Sequence, residues 1–209
     1  MSLAHKSLQS CPYCQVVQEV NYYQSVNVTI DPELKQKVLS GTLNTATCKA
    51  CNKEINIVSG LLYHDMGKRI MLELALDENA VDEDKDVIIK DLIDKGYIYR
   101  KVYEYGRLIE KINIFDQKLN DKIIADVSAR MKALLEESLK GVREDRETIE
   151  FNVIFDKIEK SLFKKEIAFH CFTHPSQVMR VKYNLKQLFL DEKRDLYNMD
   201  LLRKQGPTS

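Results

Sequence analysis

Two short cysteine pairs, Cys11-Pro12-Tyr13-Cys14 and Cys48-Lys49-Ala50-Cys51, constrain this chain more than anything else in it. A Cys-x2-Cys loop doubles back tightly enough for both sulfurs to reach one ion. Two such loops complete the tetrahedron that zinc favours. The spacing therefore points to Cys11, Cys14, Cys48 and Cys51 as ligands of one structural zinc. A four-thiolate site leaves no coordination position for water, so no catalysis is assigned to it. Four thiolates also suit a mononuclear iron, and spacing alone does not separate the two metals. In such thiolate loops the residue after the second cysteine often needs a left-handed backbone. Asn52, after Cys51, tolerates that conformation; Gln15, after Cys14, suits it less well.

Residues 15–30 alternate apolar and polar, as a hairpin or one long bent strand would. Asp31-Pro32-Glu33 then opens a short helix, with Asp31 as cap, a stripe of Leu34, Val38 and Leu39, and Gly41 as left-handed stop. Strands are expected over 42–47, 54–58 and 69–76, the last showing Ile70, Leu72, Leu74 and Leu76 on one side. The first 76 residues thus read as a small antiparallel sheet, too small to rely on apolar burial alone and pinned by a metal. Residues 77–96 carry eight carboxylates against three lysines and read as a solvated linker with a short helix ending at Gly96. A strand over 97–105 and a helix over 107–115 follow. Asn120 caps the clearest helix, where Ile123, Ile124, Val127, Met131, Leu134, Leu135 and Leu139 recur at three and four up to Gly141. A charged joint over 142–147 leads to strict alternation from Ile149 to Phe155, further strands over 162–172 and 178–183, and a closing helix over 185–203.

The expected fold is α+β: an N-terminal zinc-ribbon-like antiparallel sheet, a central helical section, and a C-terminal β-sheet with a closing helix. The corresponding segments are 1–76, 77–96 (acidic linker and short helix), 97–141 and 142–209. Lysines and arginines number 32 and so do acids, giving no formal net charge. That neutrality speaks against a dedicated nucleic-acid or membrane-surface protein. The start is polar, with no apolar core of a secretory signal, and no apolar run approaches a membrane span. Four of the five cysteines sit at metal spacing, which fits a reducing compartment, so a cytoplasmic protein is expected.

Rival readings of the same residues are weaker. Cys-Pro-Tyr-Cys is also the tetrapeptide of glutaredoxins, with Cys11 attacking and Cys14 resolving, but that role needs an apolar strand before the motif and a helix after it. Here 6–10 is polar and 15–22 alternates as a strand. His64-Asp65 offers an acid–base pair, yet neighbours in extended backbone point to opposite faces. His170, Cys171 and His174 could ligate a second metal, with the same objection, and Cys171 reads as a small buried hydrophobe. The regular stripe of 123–139 is core first and a dimerisation face second.

Beyond the cysteines, several segments resemble the CpXC family, named for its Cys-Pro-X-Cys motifs. They are Cys11-Pro12-Tyr13-Cys14, Val26-Asn27-Val28 leading to Asp31-Pro32-Glu33-Leu34, Leu62-Tyr63-His64-Asp65-Met66, and Leu108-Ile109-Glu110-Lys111-Ile112 with Ile114-Phe115-Asp116. The likeness runs from about the first cysteine through the long helix. Lys49 stands where a proline is typical, which loosens the second turn without removing its sulfurs. The resemblance implies Cys11, Cys14, Cys48 and Cys51 as shared cysteines and supplies no catalytic residue. The expectation is a non-enzymatic module with a protein partner, with homodimerisation or a nucleic-acid-binding ribbon as alternatives and an enzyme using His64 and Asp65 behind them.

Overall fold

The computed structural model describes residues 2–79, 83–139, 151–160, 165–173 and 177–184. They divide into two compact units, one ending at Ile109 and the other beginning at Glu110. The α+β class stands, with an N-terminal sheet, central helices and a C-terminal sheet.

The first unit opens with β1 (Leu3–Ser10) and β2 (Val17–Asn27), followed by α1 (Glu33–Leu39) and a short hairpin of β3 (Thr45–Thr47) and β4 (Glu54–Asn56). After β5 (Leu61–Asp65) and β6 (Ile70–Leu74), α2 (Glu83–Asp94) crosses over to β7 (Ile98–Val102). Five strands form one sheet in the order β1-β2-β5-β6-β7, and β3 pairs only with β4. Pairing in the large sheet is mixed rather than wholly antiparallel: β2 runs parallel to β5, and β6 to β7. Parallel neighbours need a long crossover, and here α1 with the β3–β4 hairpin supplies one and α2 the other.

Two strands were not foreseen. β1 alternates half-buried and exposed residues with little apolar content, the composition of an edge strand. β5 lies in the segment read as a connection, yet its alternation buries Leu61, Tyr63 and Asp65 on one side. Opposite them on β6, Ile70, Leu72 and Leu74 are buried, and Leu72 and Tyr63 are among the most enclosed side chains of the unit. Burying a leucine fully contributes about 1.5–3 kcal/mol, so this row anchors the sheet. α1 adds Leu34 and Val38, and the Tyr105 hydroxyl donates to the Val38 carbonyl at 2.8 Å. Gly41 takes the expected left-handed φ of 73°. Pro32 stands at the N-cap, however, with no side-chain hydrogen bond capping the helix, so Asp31 does not serve as the cap.

The second unit takes the later part of α3 (Tyr105–Asp116), then α4 (Asp121–Leu139), β8 (Phe151–Lys160), β9 (Lys165–Thr173) and β10 (Gln177–Asn184). The strands form an antiparallel sheet in the order β10-β9-β8. Asn120 caps α4 as expected, its side-chain oxygen accepting the backbone N–H groups of Lys122 and Ile123 at 2.9 and 3.3 Å. Ile124, Val127 and Met131 form the fully buried stripe. The β8–β9 register slips between Phe155 and Lys157, and two side chains of α3 take up the amides there. Glu110 accepts from Phe155 N–H at 2.7 Å and Gln117 from Ile158 N–H at 2.8 Å. The Gly141 stop, the 142–147 joint and the closing helix over 185–203 lie outside the described residues.

Candidate metal centre

Each cysteine pair occupies the turn of a hairpin. Cys11 and Cys14 sit between β1 and β2, and Cys48 and Cys51 between β3 and β4. The two turns are built alike. Cys11 N–H donates to Val16 O at 3.0 Å and Gln15 N–H to Cys11 O at 2.8 Å. Cys48 N–H donates to Lys53 O at 2.8 Å and Asn52 N–H to Cys48 O at 2.9 Å. Both turns close on a left-handed residue, Gln15 at φ 63° and Asn52 at φ 58°. Asn52 suits that role; Gln15 adopts it against its side-chain preference.

The four sulfurs lie within 4.8 Å of one another. Cys11 Sγ and Cys51 Sγ are 3.7 Å apart, and Cys14 Sγ and Cys48 Sγ 3.6 Å. A regular tetrahedron with metal–sulfur bonds of about 2.3 Å has edges of about 3.8 Å, so the donor set fits a tetrahedral thiophilic ion. Cys11, Cys48 and Ile55 form a small buried cluster, with Cys14 and Cys51 packed on it. Backbone N–H groups of Cys51 and Ala50 aimed at its sulfur pull the Cys48 thiol down to about 6. At Cys14 a hydrogen bond from the Val16 backbone opposes burial and the neighbouring thiols, which together push it up to about 12. Occupation of the site therefore displaces protons and strengthens with pH.

Two side chains that carry no sequence signal tie the hairpins together. Gln18 is a buried amide on β2; its Nε2 donates to Thr47 O at 3.1 Å and its Oε1 accepts Lys49 N–H at 2.8 Å. Asn44 pairs with the backbone of Tyr23 in both directions, at 2.7 and 2.9 Å, and donates to Ser59 Oγ at 2.9 Å. On the outside, Lys53 Nζ stands 4.5 Å from the Tyr13 ring centroid and links the two turns again.

The other candidates do not converge. His64 and Asp65 alternate on β5: His64 meets the Tyr97 hydroxyl at 3.3 Å, while Asp65 pairs with Lys68 at 3.1 Å. Burial lowers the His64 pKa, and Asp65 offsets that only in part. Cys171 is buried in β9, as expected of a small hydrophobe, and burial raises its thiol pKa; His174 lies outside the described residues. Cys14 leads into a strand, not a helix, which removes the context a glutaredoxin-type thiol pair needs. Among the described residues no helix is long and apolar enough to cross a membrane.

Fold and site together define an α+β protein whose first unit carries a paired-turn, four-cysteine centre able to hold a metal ion. The chain belongs to the CpXC family: the family's sequence model, described as CpXC protein, matches residues 9–127. That stretch includes both cysteine pairs and ends inside α4. No curated protein and no solved structure matches the chain.

Proposed function

We propose that the four cysteines hold a structural zinc, and that the chain is a non-enzymatic cytoplasmic module whose zinc-ribbon-like end presents a surface to a protein partner. The observation that carries this reading is the closure of the site: four sulfurs at tetrahedral spacing use every position of the ion and leave none for chemistry. Free rather than bridged cysteines agree with a reducing compartment. Leu8, Tyr13, Val16 and Val17 are 72, 59, 42 and 59% exposed around the first turn, an apolar group of the kind that marks contact surfaces.

Elemental analysis of untagged protein tests the metal, with one zinc per chain expected. Affinity capture from a native lysate compares wild type with a Cys48→Ser, Cys51→Ser variant; a protein retained only by wild type supports the module, and no specific retention defeats it. Exposed Tyr13 beneath Lys53 also favours a nucleic-acid-binding ribbon as the second reading. It requires binding to DNA or RNA that weakens steeply with salt, and a flat response at low salt removes it.

A further inference from the structure

The large sheet has two unlike faces. Leu61, Tyr63, Leu72 and Leu74 turn one face into the core. Register sets Leu62, Glu73 and Lys101 side by side on the other, with Tyr99 one step along β7. Between this second face and α2 lies a cavity of about 670 Å³, within the roughly 300–1,000 Å³ of small-molecule sites. It sits past the C-terminal end of β6 and against the first half of α2, in a strand–helix–parallel-strand unit.

Glu73 is only 8% exposed and lines the cavity. Burial alone would raise its pKa, but hydrogen bonds from Lys85 and Tyr99 more than offset that and keep it below the usual carboxylate range. It is therefore ionised at neutral pH. Each oxygen already takes one donor, Lys85 Nζ on one and the Tyr99 hydroxyl on the other. A carboxylate offers about four acceptor positions, so Glu73 can receive further N–H groups. Asp77 and Asp86 also line the cavity, so three carboxylates face two amines, Lys85 and Lys101. Leu62 and Ile89 supply aliphatic wall. An anion would meet excess negative charge, and a purely apolar guest would take water from the carboxylates without giving them a new donor.

We propose that this cavity binds a small organic cation, a primary amine with a short aliphatic body, whose ammonium donates to Glu73 while the body lies along Leu62 and Ile89. The inference stands independently of the metal centre. The test titrates hexylammonium chloride into the full-length protein by calorimetry and ligand-observed NMR, with hexanol and hexanoate as matched controls. Saturable binding of hexylammonium alone is expected. Glu73→Gln should weaken it about tenfold or more, the order of a lost charge-assisted hydrogen bond. Lys85→Met removes the amine that competes for Glu73 and should tighten binding several-fold, a gain that a purely structural ion pair does not predict. Circular dichroism establishes that each variant is folded. Absence of saturable binding in both wild type and Lys85→Met, equal binding of hexanoate, or a folded Glu73→Gln that binds like wild type overturns the proposal.

Discussion

Stripping the metal should melt the β3–β4 hairpin while the five-stranded sheet survives. Ordering the roughly dozen residues from β3 through β4 costs on the order of 12–24 kcal/mol of backbone entropy. Against this, Ile55 is the one aliphatic side chain in the cysteine cluster, and its burial returns about 2–3 kcal/mol. Some half a dozen hydrogen bonds, those of Gln18, Cys48 and Asn52 among them, add about 1 kcal/mol each. The shortfall, about 3–16 kcal/mol, lies within reach of the roughly 10–16 kcal/mol that a structural zinc supplies. The large sheet carries its own core in Tyr63, Leu72 and Val26 and does not need the ion. Hydrogen exchange with mass spectrometry, before and after a thiol-competent chelator, separates the two regions. Peptides containing the Cys48 and Asn52 amides should lose protection, while those containing Tyr63 and Leu72 keep it. A hairpin that stays protected after measured metal loss would refute this reasoning, as would unfolding of the whole first unit.

Three further outcomes follow from other parts of the structure. Asn120→Ala removes the α4 cap and should destabilise the second unit by about 0.5–2 kcal/mol in denaturant titrations, with Asn120→Asp restoring most of it. Glu110→Ala leaves the Phe155 amide without its buried acceptor and should cost about 1–3 kcal/mol by the same assay, more than truncation of an exposed acid such as Glu137. The Glu73 carboxyl has a folded pKa below its unfolded value, so its contribution is present above the usual glutamate pKa near 4.3 and is lost as pH falls through the folded value. Wild type should therefore lose stability faster than Glu73→Gln between about pH 5 and pH 3, a convergence visible in thermal unfolding across that range.

The convergence of the four cysteines could be read from sequence because coordination chemistry fixes the spacing of a possible metal site: two sulfurs on one turn must be able to reach one ion whatever surrounds them. Asn120 and the Ile124–Val127–Met131 stripe were legible for a similar reason, since capping and helical burial are local. What escaped was non-local. β1 is a polar edge strand whose pairing with β2 leaves almost no periodic apolar signal. Whether β2 runs parallel or antiparallel to β5 depends on the crossover between them, and no residue of β5 encodes it. Gln18 and Asn44 look like ordinary exposed amides until the fold places backbone donors and acceptors from another hairpin against them. The cavity beside Glu73 belongs to the same class, because its carboxylate, hydroxyl and amine come from β6, β7 and α2 and meet only after the crossover forms.

That dependence on tertiary placement bears on how a closed metal centre can matter to a surface. Gln18 is buried on β2, and its neighbours Val17 and Glu19 face solvent, with Ser10 and Leu8 of β1 opposite them. The amide of Gln18 is held from both ends by the β3–β4 hairpin, at Thr47 and Lys49. If the hairpin melts, Gln18 loses both partners, and a buried amide without them costs about 1–3 kcal/mol. β2 would then gain by turning or fraying at this position, and the exposed row of Leu8 and Val17 would shift with it. On the proposed function, metal occupancy and the exposed apolar row of Leu8 and Val17 are linked through Gln18. Gln18→Leu separates the two effects, since it removes the link while the four sulfurs remain: metal content should stay at the wild-type level, and capture of the proposed partner should survive chelation in the variant while wild type loses it.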